Sequence, residues 1–245
     1  MCIRDRVKLS NGTYMPLDPT WVPFCRELWS SAEQQQNYLP GVPEGSDLCI
    51  TPVSAPENHY VRIKADNRLD ADGTLRGTFT LTAEGQSDSN IRRIFTTGFR
   101  SEWKNTMESQ LLAISPKAKL LSVDYGKNPK DYQAAPIKIT FRYEIPDYAL
   151  KGEMEMFFRP LVMNNLYNQV RSYLRIDTSL KERKYGFKDG CSRLVELDET
   201  IQLPAGYKLA NADKNETMQG TGADFEGSLA VSYTHLRAHE TGAYL

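Results

Sequence analysis

The chain has 245 residues, with 30 Lys and Arg against 31 Asp and Glu, a formal net charge of −1, and 40% hydrophobic and 25% charged residues. This is the composition of a globular chain long enough to bury a core, as one large domain or two small ones. It leaves no cationic surplus for gripping nucleic acid, and no apolar run reaches the ~20 residues that cross a bilayer.

Read in chain order, the two ends stand apart from the rest. Met1-Cys2-Ile3-Arg4-Asp5 is encoded by ATG TGT ATA AGA GAC, and a following AG opens a codon for Arg6. That string resembles the mosaic end of transposon-based sequencing libraries. Its reverse complement, CT GTC TCT TAT ACA CAT, encodes Val231-Ser232-Tyr233-Thr234-His235, with the leading CT completing Ala230. Leu236 to Thr241 resemble adapter read onward. Unrelated termini do not encode reverse complements of one another, so residues 1–6 and 230–245 are expected to be translated adapter and are set aside from fold reasoning. The natural chain is then 7–229, a window from a longer gene, and Met1 is not its start. His59 becomes the one histidine of the natural chain. Cys25, Cys49 and Cys191 remain, an odd count without CxxC spacing, so no zinc site or disulfide framework is signalled. Cys25 and Cys49 pair if the protein is exported; otherwise all three are small buried thiols.

Val7 to Leu17 reads as a hairpin, because apolar residues flank Ser10-Asn11-Gly12-Thr13 and Asn-Gly favours a tight turn. Pro19 ends it, having no N–H to donate to a ladder. Arg26 to Gln36 holds good helix formers. Pro40, Gly41, Pro43 and Gly45 mark a linker over Leu39–Gly45. Beyond it, Tyr60 to Leu69 reads as a strand entering the turn Asp70-Ala71-Asp72-Gly73. Thr74 to Ala83 alternates Leu75, Gly77, Phe79 and Leu81 with Thr78, Thr80 and Thr82, the period of a half-buried strand. Ser87 to Phe99 and Glu102 to Ile114 read as helices. Trp103, Met107, Leu111 and Ile114 form one stripe on the second. Strand-like runs follow at Lys119–Tyr125, Ile137–Ile145, Glu153–Phe158, Leu194–Leu203 and Tyr207–Ala210, with a turn at Pro204-Ala205-Gly206. Met163–Leu174 fits either period. The expected class is α+β, strand-rich, with a central helix pair.

Tyr14-Met15-Pro16-Leu17-Asp18-Pro19-Thr20-Trp21 resembles the last motif of transglutaminase-like cores, which have a papain-like fold and a Cys-His-Asp triad. The following chain, from about Asn58 to Leu209, resembles the β-rich domain of unknown function that follows such cores in bacterial, often exported, proteins. The features that match are Leu69 to Gly77, Ala83-Glu84-Gly85, the helical Arg92-Arg93, the Tyr148 to Phe158 region, and Leu203-Pro204-Ala205-Gly206-Tyr207. The resemblance implies that residues 7–45 end a transglutaminase-like core and 46–229 form a β-sandwich-like accessory domain. It makes Asp18 the triad acid and Trp21 a cleft residue, and it implies a parent that attacks amide bonds of protein or peptide substrates through an acyl-thioester, with a periplasmic or otherwise exported location. It implies no metal and no cofactor. Without the resemblance, an Asp before Pro is also an ordinary turn residue.

The triad order in that superfamily is Cys, His, Asp, which places nucleophile and base before Val7. Cys25 and His59 follow Asp18 and are expected to be a structural thiol and a surface imidazole. Asp70 and Asp72 beside Gly73 read as a hairpin turn rather than a calcium loop, since no Glu follows at the liganding distance. Glu144 and Asp147 read as turn carboxylates. Tyr125, Tyr132, Tyr143 and Tyr148 offer either a sugar platform or cross-strand packing. Arg92-Arg93 offers either an anion contact or a solvated helix face. Two functions stay open: an inactive fragment of a thiol enzyme, and a non-catalytic protein- or glycan-binding or structural module.

Overall fold

The structure, a computed structural model, describes residues 5–18, 29, 31–43, 45–162, 181–182, 184–185, 190–210, 214–230 and 234–242. Strand β1 (Asp5–Lys8) and β2 (Tyr14–Leu17) form the expected hairpin, with Val7 opposite Met15. Its turn is closed by Leu9 N–H donating to Thr13 at 2.8 Å and Gly12 N–H donating to Leu9 at 2.9 Å. Gly12 sits at φ +83°, where a side chain is rarely tolerated. The pairing begins at Asp5, inside the segment read as adapter.

The helix expected over Arg26–Gln36 is corrected in its described part. Ser31–Glu33 is one 3-10 turn. Here β3 (Asn37–Tyr38) pairs with β4 (Cys49–Ile50), and Thr51 draws the turn back by donating to the Glu33 carbonyl at 2.6 Å. The Leu39–Gly45 linker is the loop between those two strands.

A single eight-stranded sheet carries the rest. Its order is β12-β13-β14-β11-β5-β6-β8-β7. One half is an antiparallel set, β5 (Tyr60–Leu69), β6 (Leu75–Ala83), β8 (Ile137–Ile145) and β7 (Lys119–Asp124), with β7 at the edge. β11 (Leu194–Gln202) joins β5 in parallel, Val195 beside Val61. β12 (Lys214–Gln219), β13 (Ala223–Ala230) and β14 (Thr234–Gly242) complete it by antiparallel pairing, β14 lying between β13 and β11. The strand expected at Tyr207–Ala210 is not formed. Pro204–Gly206 does turn, with Tyr207 N–H on the Pro204 carbonyl at 3.1 Å, and the next described strand is β12, from Lys214. Glu153–Phe158 shrinks to β10 (Met156–Phe157), paired with β9 (Leu150–Lys151). Met163–Leu174 lies outside the described residues.

Helices α1 (Gly85–Thr97) and α2 (Trp103–Leu112) interrupt the strands between β6 and β7 and pack on one face of the sheet. The core under them is built by period two: Val61, Ile63 and Ala65 on β5, Phe79 on β6, and Ile139, Phe141 and Tyr143 on β8, met by Phe95, Trp103, Met107 and Leu111 from the helices. Phe79 stacks on Phe141 at 4.3 Å, while Phe95, Trp103 and Tyr125 meet edge to face. The chain is thus a strand-rich α+β fold. None of its described helices is long and apolar enough to cross a membrane.

Candidate functional site

Asp18 follows β2 directly and is 2% exposed. The hairpin register that places Leu17 against Asp5 carries the next residue out of the ladder and into the interior. A carboxylate at a strand end, enclosed, is positioned to accept a hydrogen bond. Trp21 and Cys25 lie outside the described residues. Cys49 is a free, half-buried thiol, and Cys191 a free, buried one, so no Cys25–Cys49 disulfide is formed. Arg193 Nε donates to Cys191 Sγ at 3.3 Å.

His59 is the principal departure from expectation. It was read as a surface imidazole and is fully enclosed, with 0% exposure. It ends the 3-10 turn Pro56–His59 just before β5. Its Nδ1 accepts the Gln86 N–H at 3.2 Å, and its Nε2 meets Ser54 Oγ at 2.8 Å. A backbone N–H can only donate, so Nδ1 carries the lone pair and the hydrogen sits on Nε2. Nε2 therefore donates to Ser54. This is the reverse of what a general base needs, because a serine is activated only by a lone pair aimed at its hydroxyl proton. The Ser54–His59 pair is not a nucleophile–base pair. The imidazole instead caps α1, alongside Ser87 Oγ donating to the His59 carbonyl at 2.9 Å. Burial, with Arg193 adding to it, pushes the His59 pKa down to about 4.

Arg92 is neither on a solvated face nor open to an outside anion: it is buried and spends its donors within the chain. Its Nε donates to Asp88 Oδ2 at 2.6 Å, and its other nitrogens reach the carbonyls of Pro129, Asp131 and Ala135 at 2.8, 3.2 and 2.6 Å. Asp88 Oδ1 accepts the Ile137 N–H at 2.6 Å. The buried pair fastens the β7–β8 loop to α1, its charges matched by hydrogen bonds. Arg93 is exposed.

Asp70, Asp72 and Asp147 are turn groups, as expected, whereas Glu144, expected in a turn, lies half-buried on β8. Asp72 accepts the Thr74 N–H at 2.9 Å, which holds its pKa down. Asp70 pairs with Arg68 and Arg76, Glu144 with Arg76 and Lys119, and Asp147 with Lys117. Of the tyrosines, Tyr143 is core, Tyr125 packs on Phe95 and Trp103, and Tyr148 donates to the Arg159 carbonyl at 2.7 Å. They do not line up as a stacking platform. Among the described residues no three His, Cys, Asp or Glu side chains gather as a metal site.

Comparison with protein-family models, with curated proteins and with solved structures finds no match.

One buried cluster went unread in the sequence. Glu199, 1% exposed, points from β11 into the core. Its Oε1 accepts from Asn67 Nδ2 at 2.8 Å and the Leu161 N–H at 3.0 Å, and its Oε2 from the Val162 N–H at 2.9 Å. Tyr143 donates its hydroxyl to Asn67 Oδ1. Burial raises the Glu199 pKa despite these donors. The available signal was a carboxylate on the apolar side of an alternating strand, between Leu197 and Ile201.

Proposed function

We propose that this chain is the C-terminal part of a transglutaminase-like protein: the last hairpin of its core, carrying the triad acid Asp18, followed by a β-sandwich-like accessory domain. The observation that carries the reading is the enclosed carboxylate directly after β2. In the parent, Asp18 would accept the Nδ1–H of an upstream histidine, fix its tautomer and stabilise the imidazolium. That histidine would take the proton of an upstream cysteine thiol. The thiolate would add to an amide carbonyl of a protein or peptide, and the amine would leave with the proton from the imidazolium. Water or a second amine would then open the thioester. The parent would be bacterial and exported, as the resembled proteins are.

By itself the chain is expected to be inactive, because in the proposed order the nucleophile and the base lie upstream of Val7. The test is residues 7–229 incubated with peptide amides at neutral pH, read by released amine. The expected result is no turnover above buffer. Thiol-dependent turnover abolished by Cys25→Ala would defeat the proposal. Reading the parent gene upstream of Val7 tests the other half, since the proposal requires a Cys and then a His there.

A second reading, a non-catalytic binding module, is favoured by the face of the sheet away from the helices. Glu196, Arg62, Thr82 and Lys138 lie in one cross-strand row, and Asp198, Lys64, Thr80 and Thr140 in the next. These side chains are exposed or half-buried and all polar. Such a surface suits a polar protein or glycan partner, and loss of either upstream residue in the parent would move the assignment to it.

A further inference from the structure

Residues 51–58 form a strap between the N-terminal region and the sheet, and one line of hydrogen bonds holds it. Gln35 N–H donates to the Thr51 carbonyl at 3.0 Å, and Ser54 N–H donates to Gln34 Oε1 at 2.8 Å. Ser54 Oγ accepts from His59 Nε2, and His59 Nδ1 accepts from Gln86 at the start of α1. Gly85, at φ +58°, lies so close to the ring that a Cβ there would run into Nδ1 and the Asn58 carbonyl. We propose that this line is an acid-opened latch, in which protonation of His59 releases residues 31–58 from the N-terminus of α1.

The geometry requires it. An imidazolium has two donors and no acceptor. Protonated Nδ1 would face the Gln86 N–H, donor against donor, at the positive end of a thirteen-residue helix. The ring is enclosed, so water cannot take the place of the lost acceptor. Arg193, before β11, adds repulsion. Among the described residues, the other charged groups around the ring do not reverse this. At the N-cap of α1, Glu84 has its carboxylate on the Gly85 N–H at 3.4 Å, and on α1 itself Asp88 is held by Arg92. On β5, Arg62 is paired with Glu196. On the 3-10 turn itself, Glu57 is exposed, and the strap from Thr51 to Ala55 has no titratable side chain.

The sign follows from linkage. With the pKa lowered from 6.5 to about 4 in the closed form, the open form binds more protons between those values. The latch is fully stabilised above pH 6.5 and loses that stabilisation as pH falls toward 4, making opening about 20-fold more favourable at pH 5 than at pH 7. Glu199, whose pKa is raised, works in the opposite direction. The inference is independent of any catalytic role for Asp18.

Hydrogen exchange on the full chain at pH 7, 6 and 5, corrected for intrinsic rates, tests it. Peptides spanning 51–59 and 85–90 should lose about 20-fold protection by pH 5, while β6 and β8 hold theirs. His59→Gln should abolish the pH dependence. Unchanged protection of both segments in the wild type, or an equal loss in His59→Gln, would overturn the latch. If His59→Gln does not fold, ring nitrogen spectra of the wild type decide: the latch needs an Nε2–H imidazole that protonates together with the loss of protection, and a ring titrating near its ordinary value with both segments still protected refutes it.

Discussion

Tyr143, in the core, and Tyr125, half-buried against Phe95 and Trp103, differ in one hydrogen bond, and the difference sets opposite expectations. The Tyr143 hydroxyl donates to Asn67 Oδ1, in line with the Asn67–Glu199 bond. The Tyr125 hydroxyl is buried without a partner among the described residues. Burial raises the pKa of both, so both stay protonated at any ordinary pH. Tyr143→Phe strands an acceptor in the core and should cost about 1–3 kcal/mol, whereas Tyr125→Phe removes an unsatisfied group at constant ring shape and should leave stability unchanged or slightly higher. Urea denaturation of the two variants beside wild type measures both, and equal losses would mean that the Tyr125 hydroxyl has a partner after all. At this scale the sequence is legible where a residue acts on its neighbours. Asp72 bonding Thr74 is local turn chemistry and reads directly. Arg92 does not, because its three carbonyl acceptors lie 37 to 43 residues away. His59 fails for the same reason: nothing in Asn58-His59-Tyr60 announces that Gln86 will supply the N–H it accepts.

At the scale of elements, the strands with a strict period of two were read to within a residue or so. Ile137–Ile145 matches β8 at both ends, because alternation is enforced by a single buried face. The unread β12 lacks such alternation, since no apolar face has to be buried: it is exposed throughout. α1 begins two residues before the expected Ser87, because its first turn is capped by Glu84 together with the distant His59. That start depends on Gly85, which combines a positive φ with contact against the ring. Gly85→Ala therefore meets backbone strain and a clash together and should lose about 1–3 kcal/mol. The matched control is Gly12→Ala, also at positive φ but with open space around the Cβ. Chemical denaturation should show the Gly85 variant as clearly the less stable, and a loss confined to Gly12→Ala would mean that α1 does not use this start.

For the molecule as a whole, strand order was beyond reach of pattern. β5 and β11 are parallel neighbours joined by a side-chain bond between Asn67 and Glu199, 132 residues apart. Class follows from period and composition; neighbourhood follows from long-range packing that no local window contains. The enclosed position of Asp18 was legible only as a strand end. The terminal segment raises a sharper question of the same kind. β14 fills the place between β13 and β11 with residues whose codons read as adapter. A sheet accepts a strand through backbone groups, so pairing does not require a sequence selected for it. The described core cluster is drawn from β5, β6, β7, β8, β11, the helices and the segments beside them. Removing residues 231–245 should therefore leave the β5–β6–β8–β7 unit folded, with its midpoint within a few degrees of the full chain, about the shift that 1 kcal/mol produces in a protein of this size. The amides of β11 that face outward should exchange rapidly in the shortened chain, while those of β5 and β6 keep their protection. Collapse of protection across β5 and β6 as well would show that the terminal strand is integral to the sheet, and would count against reading it as adapter.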